Sequence, residues 1–177
     1  MQELAEKIKA NLRTVPGFPK EGINFYDITP LLANGPLFRE IIFETCAHYS
    51  QHKLDLIVGI EARGFLFGPA MATQLGIGFA PARKAGKLPS ECEQASYTLE
   101  YGEAVLEMHK DALKPGSRVL VVDDLLATGG TAKACGDILG RLGAEIVSYL
   151  FIIELLGLPG RESLEGYGVQ SLVELAA

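Results

Sequence analysis

The chain has 177 residues, 48% hydrophobic and 21% charged, the balance of a globular domain rather than a disordered or membrane-embedded one. A formal net charge of −6 argues against non-specific nucleic-acid binding, which rests on phosphate neutralisation by Lys and Arg. The longest apolar runs, Val119 to Val122 and Tyr149 to Ile153, are strand-sized, far short of the ~20 residues of a membrane span.

In chain order, Met1 to Leu12 reads as an amphipathic helix with Leu4, Ile8 and Leu12 on one face. Its Glu3, Glu6, Lys7 and Lys9 leave no apolar centre of the kind a secretory signal needs. A Pro- and Gly-rich loop, Pro16 to Gly22, leads to a helix opened by Pro36, with Phe38, Ile41, Ile42, Thr45 and Tyr49 at helical spacing. Leu54 to Ile60 is a strand-like run that ends in Glu61-Ala62-Arg63-Gly64, and a short helix is expected from about Pro69 to Leu75. Gly78 to Ala82 reads as a strand leading into Arg83, Lys84 and Lys87. On an acidic chain this basic island suits a small polyanion better than a long nucleic acid.

Leu88 to Gln94 is polar and turn-rich, and is expected to form a mobile loop. Ser96 to Tyr101 and Ala104 to Met108 alternate around Gly102-Glu103 as a hairpin would. After the Pro115-Gly116 turn come a strand (Arg118 to Val122), a helix (Ala132 to Leu142), a strand (Ile146 to Glu154) and a last apolar segment, Val169 to Leu175. No repeat or linker interrupts this order, so residues 1–177 are expected to form one domain. Cys46, Cys92 and Cys135 form no CxxC pair and suit reduced cytoplasmic thiols, while His48, His52 and His109 do not join them at metal-ligand spacing.

Strands apolar throughout and alternating with helices predict an α/β domain around a mainly parallel sheet, with ligands at the carboxyl ends of its strands. After Val119 to Val122 come Asp123-Asp124-Leu125-Leu126-Ala127-Thr128-Gly129-Gly130-Thr131. Glycines let backbone amides approach an anion, Thr128 and Thr131 add hydroxyls, and the following helix dipole favours a phosphate. Asp123 and Asp124 would repel that phosphate, but they suit the vicinal hydroxyls of a sugar. A sugar phosphate satisfies both halves. Neither GxGxxG nor GxxxxGK[ST] occurs, which disfavours a dinucleotide fold and a P-loop.

The stretch Val121 to Thr131 resembles the signature of the type I phosphoribosyltransferases. The resemblance continues through Phe18-Pro19, Asp27-Ile28-Thr29, Arg63-Gly64-Phe65-Leu66-Phe67-Gly68, Arg83-Lys84, Gly86-Lys87-Leu88-Pro89 and Ser96-Tyr97…Leu99-Glu100-Tyr101-Gly102. It implies a central mainly parallel sheet flanked by helices. A small base-binding hood would come from about residues 1–35, and a flexible lid loop and hairpin from about 84–107.

It also implies transfer of a phosphoribosyl group from phosphoribosyl pyrophosphate to adenine, giving AMP and pyrophosphate. In such a site Asp123 and Asp124 hold the ribose hydroxyls, and Ala127, Thr128, Gly129, Gly130 and Thr131 hold the 5′-phosphate. Glu61, Ala62, Arg63 and Gly64, a turn that is cis in many members, surround the pyrophosphate together with Arg83, Lys84 and Lys87. Asn24, Phe25, Tyr26 and Leu125 line the base, with Phe25 stacking on it. Glu100 exchanges a proton with the ring nitrogen, and Tyr101 and Arg63 complete the catalytic set. Mg²⁺ would arrive mainly on phosphoribosyl pyrophosphate, with no direct protein ligand. A cytoplasmic homodimer, with neither nucleic acid nor membrane as partner, is the expected assembly.

Two departures from the family pattern bear on the base: Tyr26 stands where many members have arginine, and Asn24 replaces an apolar residue. A 6-oxopurine enzyme, acting on hypoxanthine, guanine or xanthine, would usually carry a lysine near Ile152-Ile153-Glu154-Leu155-Leu156, where this chain has glutamate. A non-catalytic regulator that binds phosphoribosyl pyrophosphate is the alternative from another class. It would have no use for Glu100.

Overall fold

A computed structural model describes residues 2–98 and 103–177. Its elements are α1 (Gln2–Ala10), β1 (Arg13–Pro16), β2 (Asn24–Asp27), α2 (Thr29–Ala33), α3 (Gly35–Tyr49), β3 (Leu56–Ile60) and α4 (Gly64–Leu75). There follow β4 (Gly78–Lys84), β5 (Cys92–Thr98), β6 (Glu103–His109), β7 (Arg118–Leu126), α5 (Gly130–Arg141), β8 (Glu145–Leu156) and β9 (Val169–Ala176), with a 3-10 turn at Glu162–Leu164.

Seven strands form one sheet in the order β5-β6-β4-β3-β7-β8-β9. The five strands from β4 to β9 run parallel, and β6 and β5 extend the β4 edge antiparallel. Both faces of the sheet are buried, which is why its strands lack polar alternation. Ile57, Leu120, Val122, Leu150 and Ile152 pack beneath α1 to α4. Their neighbours Val58, Ile60, Val119, Val121, Tyr149 and Phe151 join a second core with Ala134, Cys135, Ile138 and Leu139 of α5. Burial pushes the Cys135 thiol far up its scale and raises Cys46 to about 11, so both stay protonated as small packing groups.

The α/β architecture and the mainly parallel sheet agree with the sequence reading, and several boundaries differ. The Pro-rich segment is the loop of a β1–β2 hairpin, with Val15 opposite Phe25, in strands too short to show alternation. Helix α4 starts at Gly64, five residues before Pro69, so the proline lies inside the helix rather than at its first turn. Gly64 packs directly under β7, where an added Cβ would sit 2.5 Å from the Val122 carbonyl oxygen. Strand β7 runs on through Asp123 and Asp124 to Leu126, because β8 continues to pair with it, Asp123 opposite Phe151 and Leu125 opposite Ile153. Cys92 to Gln94, expected in the loop, instead pair with β6 opposite His109, Met108 and Glu107.

Candidate active site

Pairing with β8 continues through the end of β7, and two acids stand at this carboxyl edge of the sheet. Asp124 is 4% exposed, and its carboxylate is engaged by Nε of Arg63. Asp123 Oδ1 accepts the Asp124 amide at 2.9 Å. Burial, and then the adjacent Asp124 charge, push the Asp123 carboxyl well above the usual range. The two acids therefore differ: Asp124 is paired with a cation, whereas Asp123 is an acceptor short of donors.

Beyond them, residues 127–131 form a cup of about 90 Å³ that also includes Asp123, Leu125 and Phe151. Gly129 takes φ +81°, a left-handed turn open to glycine, and delivers the chain into α5 at Gly130. The cup is buttressed from a distant segment. Ser163 donates its hydroxyl to the Thr128 carbonyl at 2.8 Å, and Gly160 packs where a Cβ would lie 2.5 Å from the Ala127 carbonyl.

A second cavity of about 370 Å³ adjoins the cup. Glu61, Ala62, Arg63, Lys84, Asp123, Asp124, Leu125 and Thr131 line it, so the structure brings most of the sugar and pyrophosphate candidates together. The Glu61-Ala62 peptide is cis. Tyr97 also lines the cavity. Sequence reading quoted it within a motif but gave it no place in the site; it shares the face of buried Ala95 on β5, so its spacing reads as core packing.

On the base side, the Arg63 guanidinium lies 5.8 Å over the centre of the Phe25 ring, and Phe18 meets that ring edge-on at 5.3 Å. Arg63 thus joins the acid pair to the hairpin aromatic. Tyr26 points the other way along β2 and donates its hydroxyl to the Ala176 carbonyl at 2.9 Å, tying the hairpin to the end of β9. Asn24 is exposed at the start of β2.

The basic residues divide into two roles. Arg83 is held by Glu61, Nε at 3.1 Å and Nη2 at 3.2 Å, and donates Nη1 to the Lys87 carbonyl at 3.1 Å. The same Glu61 accepts the Lys84 amide at 3.1 Å, and the Arg83 guanidinium beside it lowers its carboxyl. Among the described residues, the Lys84 and Lys87 ammonium groups form no ion pair. Glu107, absent from the sequence reading, lies beneath this turn and accepts the Lys87 and Leu88 amides, each at 3.0 Å. Glu100 and Tyr101 lie outside the described residues.

Chemically, the arrangement offers acceptors for sugar hydroxyls between an amide-lined anion cup and a cationic arm, with an aromatic ring at one end. Comparison with known proteins agrees. Residues 29–157 match the family model described as phosphoribosyl transferase domain. The chain is 53% identical over 172 residues to an adenine phosphoribosyltransferase of Clostridium beijerinckii, covering 97% of this chain and 98% of that one. Among solved structures, it resembles an adenine phosphoribosyltransferase from Thermoanaerobacter pseudethanolicus with TM-score 0.93 and 48% identity, covering 97% and 99% of the two chains. It also resembles the enzyme from Saccharomyces cerevisiae, solved with an imino-altritol bisphosphate and adenine, with TM-score 0.94, 44% identity and the same coverage.

Proposed function

The chain belongs to the phosphoribosyltransferase family, among its adenine phosphoribosyltransferases, and from that premise we propose how its cavity carries out the reaction. It transfers the 5-phosphoribosyl group of phosphoribosyl pyrophosphate to adenine, giving AMP and pyrophosphate. The observation that carries the site assignment is the shared cavity: Asp123, Asp124, Arg63 and Lys84 line one space, contiguous through Asp123 with the 127–131 cup.

Asp123 and Asp124 accept the ribose hydroxyls, and the amides and hydroxyls of 128–131 hold the 5′-phosphate at the start of α5. The turn from Glu61 to Gly64, with Lys84 and Lys87, receives the pyrophosphate and stabilises the charge that gathers on it as the anomeric bond breaks. Phe25 stacks on adenine, and residues 1–35 act as the hood that brings it there. Glu100 exchanges the ring proton, a role worth ~10²–10⁴-fold in comparable reactions. Tyr101 adjoins it. These last two assignments rest on sequence.

The cavity's anionic groups, Glu61, Asp123 and Asp124, are carboxylates, and neither His nor Cys lines it among the described residues, a donor set that suits a hard cation. Asp123 and Asp124 would hold Mg²⁺ through its waters, the ion itself arriving on the substrate phosphates. Bound there, Mg²⁺ neutralises pyrophosphate charge. A homodimer is the assembly we assign, supported by the exposed Phe43 on α3 and Leu66 on α4. A cytoplasmic location fits three free cysteines, and among the described residues no helix is long and apolar enough to cross a membrane.

The test is an assay with Mg²⁺ and phosphoribosyl pyrophosphate against adenine, hypoxanthine, guanine, xanthine and orotate in parallel. Product from adenine alone is expected. Product from a 6-oxopurine would overturn the base assignment, and no product from any base would overturn catalysis itself.

A further inference from the structure

Strand β6 contains an anomaly. Leu106 and Met108 face the core beneath α5, so Glu107 between them faces the opposite side, yet it is only 3% exposed. A buried carboxylate is costly unless every lone pair is used. No cation neutralises this one among the described residues. Its partners are neutral donors: Oε1 accepts the Lys87 and Leu88 amides at 3.0 Å each, and Oε2 accepts Nε2 of Gln94 at 3.0 Å. Burial alone would raise its carboxyl. The amides of Leu88, Gly86 and Lys87 and the Gln94 side chain outweigh burial and leave it below the ordinary range. Glu107 is therefore an anion caged in the backbone amides of a turn.

That turn is the cationic arm of the site. Its Lys87 carbonyl receives Nη1 of Arg83 at 3.1 Å, and Arg83 in turn grips Glu61, next to the cavity. A chain of contacts thus runs from Glu107 through residues 86–88 and Arg83 to the Glu61-to-Gly64 turn. Placing a negative charge beneath an arm that must bind a polyanion is electrostatically unfavourable, so its use there needs a gain. The gain is geometric. One carboxylate oxygen accepts two successive amides as a charge-assisted pair and the other accepts Gln94, whereas a neutral amide side chain would hold the same two amides more weakly and would need Gln94 to turn its own carbonyl toward it.

We propose that Glu107 is a positioning residue for the pyrophosphate end of phosphoribosyl pyrophosphate, acting through the 86–88 turn that it folds. The inference rests on the phosphoribosyltransferase reading above. Glu107 touches no substrate, so its effect is confined to where Lys87 and the Arg83–Glu61 pair stand.

The experiment is steady-state kinetics of Glu107→Gln and Glu107→Asp against wild type, with adenine and phosphoribosyl pyrophosphate varied separately. The expected result for Glu107→Gln is a rise of about tenfold in KM for phosphoribosyl pyrophosphate, with kcat and KM for adenine within about twofold of wild type. Glu107→Asp, which keeps the charge, should recover part of that rise. A merely structural role would lower the active fraction, and with it kcat, without moving one KM alone; that outcome, or equal rises in both KM values, overturns the proposal. Should Glu107→Gln not fold, amide hydrogen exchange on the wild-type enzyme decides instead. The Lys87 and Leu88 amides should be protected despite their loop position, and free-loop exchange rates overturn the proposal. Wild-type turnover is the control: absence of AMP from wild type sinks the functional reading, whereas normal turnover with an unmoved KM in Glu107→Gln sinks only this inference.

Discussion

Asp123 turns its carboxylate onto the backbone amide of Asp124, 2.9 Å away, while the Asp124 carboxylate goes to Arg63. Adjacent in sequence, the two acids are thus opposite in electrostatic circumstance. One is compensated by a cation, and the other, partly exposed toward the cavity, lies beside a like charge with the Asp124 amide as its donor. In the mechanism above that deficit has a use, because two ribose hydroxyls would supply the donors Asp123 lacks.

This asymmetry predicts that Asp123→Asn weakens phosphoribosyl pyrophosphate binding while stabilising the ligand-free protein by about 1 kcal/mol, the size usual for removing an unfavourable charge. The amide can still accept from Asp124 and can donate toward its carboxylate. The pH dependence has a definite sign. Since the folded-state pKa of Asp123 is raised, the folded protein holds this proton more tightly than the unfolded chain does. Stability from this group therefore falls as pH rises through the window between ~4, the unfolded value, and the raised folded value. Glu61 and Glu107 act oppositely, their lowered pKa values contributing stability that is lost only as pH falls through those folded values. Thermal melts of wild type and Asp123→Asn across pH 4.5 to 8 check this. A ligand-free Asp123→Asn that melts below wild type at neutral pH would contradict it.

The cup formed by residues 127–131 leads to a second prediction. Ser163 donates to the Thr128 carbonyl, so Ser163→Ala should loosen the cup, raise KM for phosphoribosyl pyrophosphate a few-fold and cost about 1 kcal/mol. Gly160→Ala should be worse, because its Cβ would sit 2.5 Å from the Ala127 carbonyl oxygen and 2.7 Å from Leu126 Cγ, at the end of β7 and the residue that follows it. Thermal midpoint and KM measured on both variants test the order; equal, near-wild-type values would show that the cup stands without its buttress.

How much of this was legible in the sequence follows from the range of each interaction. The cup, the acid pair and the basic island are contiguous stretches whose chemistry is local, and the structure brings the first two and Lys84 to two adjoining cavities, while Arg83 and Lys87 line neither. Ser163 acts across 35 residues onto Thr128 and Gly160 packs against Ala127, and both lie in a segment without periodicity, so nothing local marks them. Glu107 was hidden for a different reason. It occupies an outward position of an alternating strand, where a solvated glutamate is ordinary, and only the return of residues 86–88 over that face makes it buried. The β1–β2 hairpin escaped because four-residue strands flanking a Pro-Gly loop carry too few positions for a period. Tyr26, which the family resemblance puts beside the base, has its hydroxyl on Ala176, and successive strand residues face opposite sides, so it points away from the face that Phe25 presents.

Glu154 supplies the last prediction, since its sequence position invited a reading as a specificity marker. Its carboxylate is 6% exposed and is held at 2.6 Å by both Nε and Nη2 of Arg161, with the Ser171 hydroxyl at 2.5 Å. Arg161 also donates to the Val169 carbonyl, so this one fork ties β8, the start of the 3-10 turn and β9 together. Removing the cation by Arg161→Ala strands a buried charge and should cost about 2 kcal/mol, less than a fully buried pair because the Arg161 side chain is about half exposed to water. Glu154→Lys would set two cations together at this junction. It should destabilise the protein at least as much and confer no activity on hypoxanthine, because the position serves the packing of β8 against β9 and not the base. Denaturant melts of both variants, with hypoxanthine and guanine turnover of Glu154→Lys, decide the matter: a folded Glu154→Lys that turns over hypoxanthine would return this position to the base pocket.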